Sequence, residues 1–133
     1  MFAPTVAVSH NPQWGKFYKS MGQDHDFIYQ YAAAFTQGLQ GKEGSPTGIL
    51  ESNKHFLGDG ATMFGADEGN AHMGNFRSFL NHNAQGFNGS ISSGGGSVMC
   101  SYSAKNWLPM ALSPFLLNTL RKELNFDGFI ISD

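Results

Sequence analysis

The stretch that decides the fold is Phe126-Asp127-Gly128-Phe129-Ile130-Ile131-Ser132-Asp133. Three bulky apolar residues follow one another behind a glycine, and the run ends on a carboxylate. A strand with one wet face alternates apolar and polar residues; a strand covered on both faces does not need to. The run therefore predicts a strand over 128–132, covered on both faces, with Asp133 at its carboxyl end. Three further runs read as strands: 5–8 (Thr-Val-Ala-Val), a weaker 49–53, and 97–101 (Ser-Val-Met-Cys-Ser).

Helical patterns lie between these runs. Asp24 or Asp26 caps a predicted helix reaching about Leu39, with Phe27, Tyr31, Ala34 and Phe35 on one apolar stripe and Gly38 or Gly41 at its end. A second helix is expected over 113–124: Ser113 is the N-cap, Pro114 takes the first position, Leu116, Leu120 and Leu124 recur every four residues, and Lys122 complements the dipole of the last turn. A helix somewhere within 76–91 has partial periodicity, which Gly86 and Gly89 weaken. Strands alternating with helices argue for parallel βαβ units, with the helices outside a sheet or barrel.

Composition narrows the function classes. The chain has 133 residues, 41% hydrophobic and 14% charged, which excludes a disordered or acidic tail. A net charge of −2 gives no electrostatic case for nucleic acid. No apolar run approaches the ~20 residues of a membrane span, and no basic segment precedes an apolar one as in a signal peptide. The single cysteine, Cys100, excludes a disulfide framework within the chain and does not fix the compartment. Glycine is frequent, at 17 residues, so many backbone sites need tight turns or close approach.

The chemistry is expected where the strands end. Ser9, His10, Asn11, Trp14 and Lys16 follow the first, Lys54, His55 and Asp59 the second, Tyr102 the third, and Asp133 the fourth. On one face these would suit a neutral, hydroxyl-rich ligand, with polar groups for hydroxyls and aromatics for a sugar's apolar face. Each has an ordinary alternative: Asp133 as a surface carboxylate, Lys54-His55 as a solvated pair, Met99 as core, and Trp14 as packing. Asp67, Glu68 and His72 lack a recognised metalloenzyme spacing, and the glycines form no phosphate-binding pattern, so no metal and no cofactor is expected. Ser101 and Ser103 lie in no nucleophile elbow.

Four segments, in order, resemble glycoside hydrolase family 3. Lys54-His55-Phe56-Leu57-Gly58-Asp59-Gly60-Ala61-Thr62 resembles its Lys-His-Phe-x-Gly-Asp-Gly-x-Thr segment. Phe2-Ala3-Pro4 through Asn11-Pro12-Gln13-Trp14-Gly15-Lys16 resembles Phe-Ala-Pro … Asp-Pro-Arg-Trp-Gly-Arg. Ser97 to Tyr102 is similar to Ser-Val-Met-x-Ser-Tyr, and Phe126 to Asp133 to the nucleophile segment Gly-Phe-Asp-Gly-Phe-Val-x-Ser-Asp. Leu57 and Asp59 stand where the N-acetylglucosaminidase branch carries Pro and His, which favours the β-glucosidase and exo-β-glucanase branch.

The resemblance implies part of a TIM-like (β/α)8 barrel, α/β in class, with about four of its parallel strands in residues 1–133. Such barrels need ~250 residues, so the N-terminal catalytic domain is expected to be incomplete at both ends. The implied activity is retaining hydrolysis of terminal β-glycosidic bonds in carbohydrate metabolism, on a β-glucoside or β-glucan oligosaccharide. Asp133 would be the nucleophile; Lys16, Lys54, His55, Glu68, Met99 and Tyr102 would bind or line the sugar. The acid/base residue would come from a following domain, so the rest of the barrel and the C-terminal domain are the expected partners and the isolated chain is expected to be inactive. The parent enzyme would be secreted or periplasmic. Two departures touch specificity: Lys16 replaces an arginine and loses its planar fork of donors, and Lys19 replaces a glutamate. The alternative is a non-catalytic sugar-binding α/β module derived from the same family.

Overall fold

The computed structural model describes residues 1–41, 48–71 and 74–133. In chain order the elements are α1 His25–Gln40, β1 Asn53–Phe56, β2 Asn70–Ala71, α2 Phe76–Asn83, α3 Gln85–Ser92, β3 Ser97–Cys100, β4 Ala104–Lys105, β5 Leu108–Pro109, α4 Pro114–Asn118, a π-helical turn Thr119–Glu123, and β6 Phe129–Ile131.

The central sheet is parallel, in the order β1-β3-β6. β3 pairs with β6 in the register Ser97↔Phe129, Val98↔Ile130 and Met99↔Ile131. The first predicted strand extends this ladder without forming a regular strand. Its residues run beside β1 through a parallel bridge Thr5↔Lys54. The bonds are Ser52 N–H to Ala3 O (3.2 Å), Lys54 N–H to Pro4 O (3.1 Å) and Val6 N–H to Lys54 O (3.0 Å). Neighbours in space thus follow sequence order, with a helix in each connection, as the alternation predicts.

The helices differ from the sequence reading for identifiable reasons. Asp24 caps α1, its carboxylate accepting from Asp26 N–H and Phe27 N–H. The apolar stripe is corrected: α1 buries Ile28, Ala32 and Thr36, while Phe27 is 53% exposed. The cause lies in α3, which packs along α1. A Cβ at Gly89 would overlap the Tyr29 carbonyl, and one at Gly86 would overlap the Val6 carbonyl. The two glycines that weaken helix propensity are therefore what lets α3 lie against α1 and the first segment. Thr36 is buried because it joins a polar knot with Glu51, which is 0% exposed. The Glu51 carboxylate accepts from Thr36 Oγ1 (2.5 Å), Ser90 Oγ (2.5 Å) and Asn53 Nδ2 (2.8 Å).

Over 113–124, Ser113 caps and Pro114 opens α4 as expected, and Leu116 and Leu120 are buried. The helix widens into a π turn over its second half. The weak strand is corrected from 49–53 to β1 at 53–56, so Lys54 and His55 lie inside the strand rather than beyond it. β6 is corrected too: Phe129 is 69% exposed, because among the described residues β6 has a neighbour on its β3 side alone. A small second sheet, β2-β4-β5, has no counterpart in the sequence reading. Among the described residues no helix is long and apolar enough to cross a membrane.

Candidate functional site

The site forms where the parallel segments end. β1 delivers His55, 4% exposed, and the chain then turns at Gly58 (φ 96°) into a short 3-10 turn, Asp59–Ala61. A Cβ at Gly60 would overlap the Val8 carbonyl, so the turn lies directly against the end of the first segment. This close approach buries Asp59 to 1% exposure. Asp59 Oδ2 accepts from His55 Nδ1 at 2.6 Å. Its Oδ1 accepts from Ser103 Oγ at 3.1 Å and, more weakly, from Ser101 Oγ at 3.4 Å. A buried carboxylate needs such donors.

The other ring nitrogen, His55 Nε2, lies 3.3 Å from Asp133 Oδ2. With Nδ1–H committed to Asp59, a neutral ring turns the Nε2 lone pair toward Asp133; a charged ring donates to both carboxylates. The arrangement fixes the imidazole through Nδ1 and sets Nε2 beside the Asp133 carboxylate. Tyr102, 48% exposed, donates its hydroxyl to the Asp133 main-chain oxygen.

A second cluster joins residues 14–16 to residues 67–68. Lys16 Nζ lies 3.1 Å from Asp67 Oδ1 and 3.7 Å from Glu68 Oε1. Burial alone would lower the Lys16 pKa, but the bond to Asp67 and the charges of Asp59, Asp67 and Glu68 outweigh it and raise it above 10.5. Trp14 is 2% exposed and donates from Nε1 to Asp67 Oδ1 at 3.2 Å. Of the two readings of Trp14, packing is the one observed. Asp59 acts on Lys16 through its charge, which joins the two clusters electrostatically.

Lys54 is half-buried in β1, and its ammonium has no carboxylate partner among the described residues. Met99 is 4% exposed in β3, in register with Ile131 of β6. His72 lies outside the described residues, and among those described no three His, Cys, Asp or Glu side chains are arranged to hold a metal. Sequence reasoning missed the anchoring role of Asp59 and its serine partners. The four-residue spacing of His55 and Asp59 and the Ser-x-Ser at 101–103 were the available signals.

Comparisons with known proteins agree with this architecture. The family pattern described as "Glycosyl hydrolase family 3 N terminal domain" matches residues 1–133. A periplasmic beta-glucosidase of Salmonella typhimurium is 29% identical over 99% of this chain and 17% of its own length. The crystal structure of an exo-1,3/1,4-beta-glucanase from a Pseudoalteromonas species superposes with a TM-score of 0.94 at 35% identity, covering 99% of this chain and 17% of that one. A beta-glucosidase from Listeria innocua in complex with glucose superposes at 0.91 with 27% identity, covering 100% of this chain and 19% of that one. The parallel segments and their helices correspond to part of the TIM-barrel domain of these proteins. The chain spans less than a fifth of the length of each of these three proteins, and it belongs to glycosyl hydrolase family 3, within the N-terminal domain.

Proposed function

We propose that this chain supplies the nucleophile and part of the sugar-binding wall of a retaining β-glycosidase of the β-glucosidase or exo-β-glucanase type. The observation that carries the reading is Asp133, two residues beyond β6, with Oδ2 3.3 Å from the buried His55 ring. In the reaction an Asp133 carboxylate oxygen bonds to the anomeric carbon as the glycosidic C–O bond breaks. The leaving oxygen takes a proton from an acid on a further part of the longer enzyme. Water then attacks the same carbon, gives its proton to that group, and frees Asp133. Retention requires the two carboxyl groups to sit about 5–5.5 Å apart.

The sugar-binding roles follow from charge and exposure. Lys54, with no carboxylate partner among the described residues, offers its ammonium to a hydroxyl. His55, held by Asp59, offers Nε2 from a fixed direction. Lys16 stays charged and is oriented by Asp67 and Glu68, so it binds a hydroxyl without the forked geometry of arginine. Tyr102 holds the backbone of Asp133, and Met99 supports the wall behind it. Because the acid belongs to a further part of the enzyme, residues 1–133 alone are expected to be inactive; loss of acid/base assistance costs ~10²–10⁴-fold. Turnover of an aryl β-glucoside by the purified 133-residue chain would contradict this. The nucleophile itself is tested in the longer enzyme: Asp133→Ala should abolish turnover and keep part of the sugar affinity.

A further inference from the structure

The β4–β5 hairpin carries an aromatic side chain with no part in the reaction above. Its two turn residues, Asn106 and Trp107, have φ of 47° and 71°. Two-residue hairpin turns favour positive φ at both positions, but the residues that ordinarily tolerate it are glycine and asparagine. A bulky residue in this conformation is a backbone outlier. Packing within the chain does not hold it there. Trp107 is 80% exposed, and its ring has no aromatic or cationic partner among the described residues. Asn106 at the first position suits the turn; Trp107 at the second is strained and wet. Strain of this kind, where it is kept, points to function.

The hairpin is fastened to both halves of the site. Trp107 N–H donates to Asn70 Oδ1 at 2.6 Å, and Ala104 N–H donates to Gly69 O at 3.0 Å. The tip is thus tied to the residues directly after Glu68, whose carboxylate pairs with Lys16. Its outgoing root is Tyr102, which bonds the Asp133 backbone. Its return is anchored by Met110, 0% exposed, whose N–H donates to Ser103 O at 3.0 Å. The backbone of the tip is fixed while the ring stands in solvent. A rigid indole, apolar on its faces and polar at one edge, fits the C–H face of a pyranose.

We infer that Trp107 is a stacking platform for the sugar on the leaving-group side of a β-linked oligosaccharide. It would set preference for that leaving group rather than hold the sugar whose bond is cleaved. This rests on the glycosidase reading. The test uses the full-length enzyme that contains this chain, comparing kcat/KM for a β-linked glucose disaccharide with that for methyl β-glucoside. Trp107→Gly should lower the ratio of the two about ten-fold, in the range of one aromatic contact, and Trp107→Phe should restore most of it. Glycine accepts φ 71° without strain, so the glycine variant should not melt below the parent. An unchanged ratio, or a lower Tm with equal loss on both substrates, would mean that the ring packs against another part of the enzyme, and would overturn the inference. Hydrolysis of neither substrate by the parent would reject the glycosidase reading instead. Disaccharide affinity by calorimetry on the same variants then still decides Trp107, an unchanged affinity in Trp107→Gly overturning its role.

Discussion

Replacing Asp59 tests how the site is built. Its carboxylate is 1% exposed and accepts from His55 Nδ1 at 2.6 Å, Ser103 Oγ at 3.1 Å and Ser101 Oγ at 3.4 Å. Asp59→Ala strands two good donors and one weak one in a closed site. Each orphaned buried donor costs about 1–3 kcal/mol; counting the two shorter bonds gives ~2–6 kcal/mol, a large share of a typical domain's stability. Asp59→Asn keeps the shape and one acceptor oxygen, and the serine hydroxyls, which accept as well as donate, can meet its amide N–H, but the charge beside His55 is lost. The alanine variant should therefore lower the urea midpoint of the full-length enzyme with m unchanged. The asparagine variant should cost less stability, with a fall in kcat/KM. An Asp59→Ala midpoint within error of the parent, or an Asp59→Asn loss of stability as large as that of Asp59→Ala, would refute this account of the site.

Two further outcomes follow from the packing. His82 stacks on His10 at 5.2 Å between ring centroids and meets His25 edge-on at 4.4 Å, with His25 also 3.1 Å from Asp26. Burial first, then the charges of His25 and His10, hold the His82 pKa below 6.5. A depressed pKa means that the unfolded chain binds the proton more readily, so this contribution to stability is present above pH 6.5 and is lost as the pH falls below it. His82→Gln should flatten the pH dependence of Tm between about pH 7 and 5; an unaltered slope would exclude His82 as its source. Gly89→Ala forces a Cβ into the Tyr29 carbonyl and should destabilise by about 1–3 kcal/mol through overpacking, whereas a neutral result would mean that α3 can move away from α1.

The parts of the fold legible in the sequence are those governed by local chemistry. The Asp24 cap, Ser113-Pro114, and the apolar run at 129–131 each act within a few residues. The buried stripe of α1 is not legible, because hydrophobicity ranks Phe27 and Tyr31 above Ala32 and Thr36. The deciding influences are the close approach of Gly89 and the Glu51 knot, both set by residues distant in the chain. Lys54 and His55 fall past their strand in a reading by pattern, because a polar pair does not look like strand; inside β1, His55 is satisfied by Asp59. Asp59 itself looks like a loop carboxylate among glycines. Those glycines are what press its turn onto the first segment and bury it, a fact of geometry rather than composition. The hairpin at 104–109 is hidden because its turn lacks the glycine that would have announced it.

The central claim is that Asp133 forms the covalent bond to the sugar. The most direct measurement treats the full-length enzyme with a slow fluorinated β-glucoside, then maps the adduct by peptide mass spectrometry. The account predicts a mass shift on the peptide containing Phe129 to Asp133, absent in Asp133→Ala, which should also be inactive. A label on Asp67 or Glu68 instead, with Asp133→Ala still turning over substrate, would contradict it.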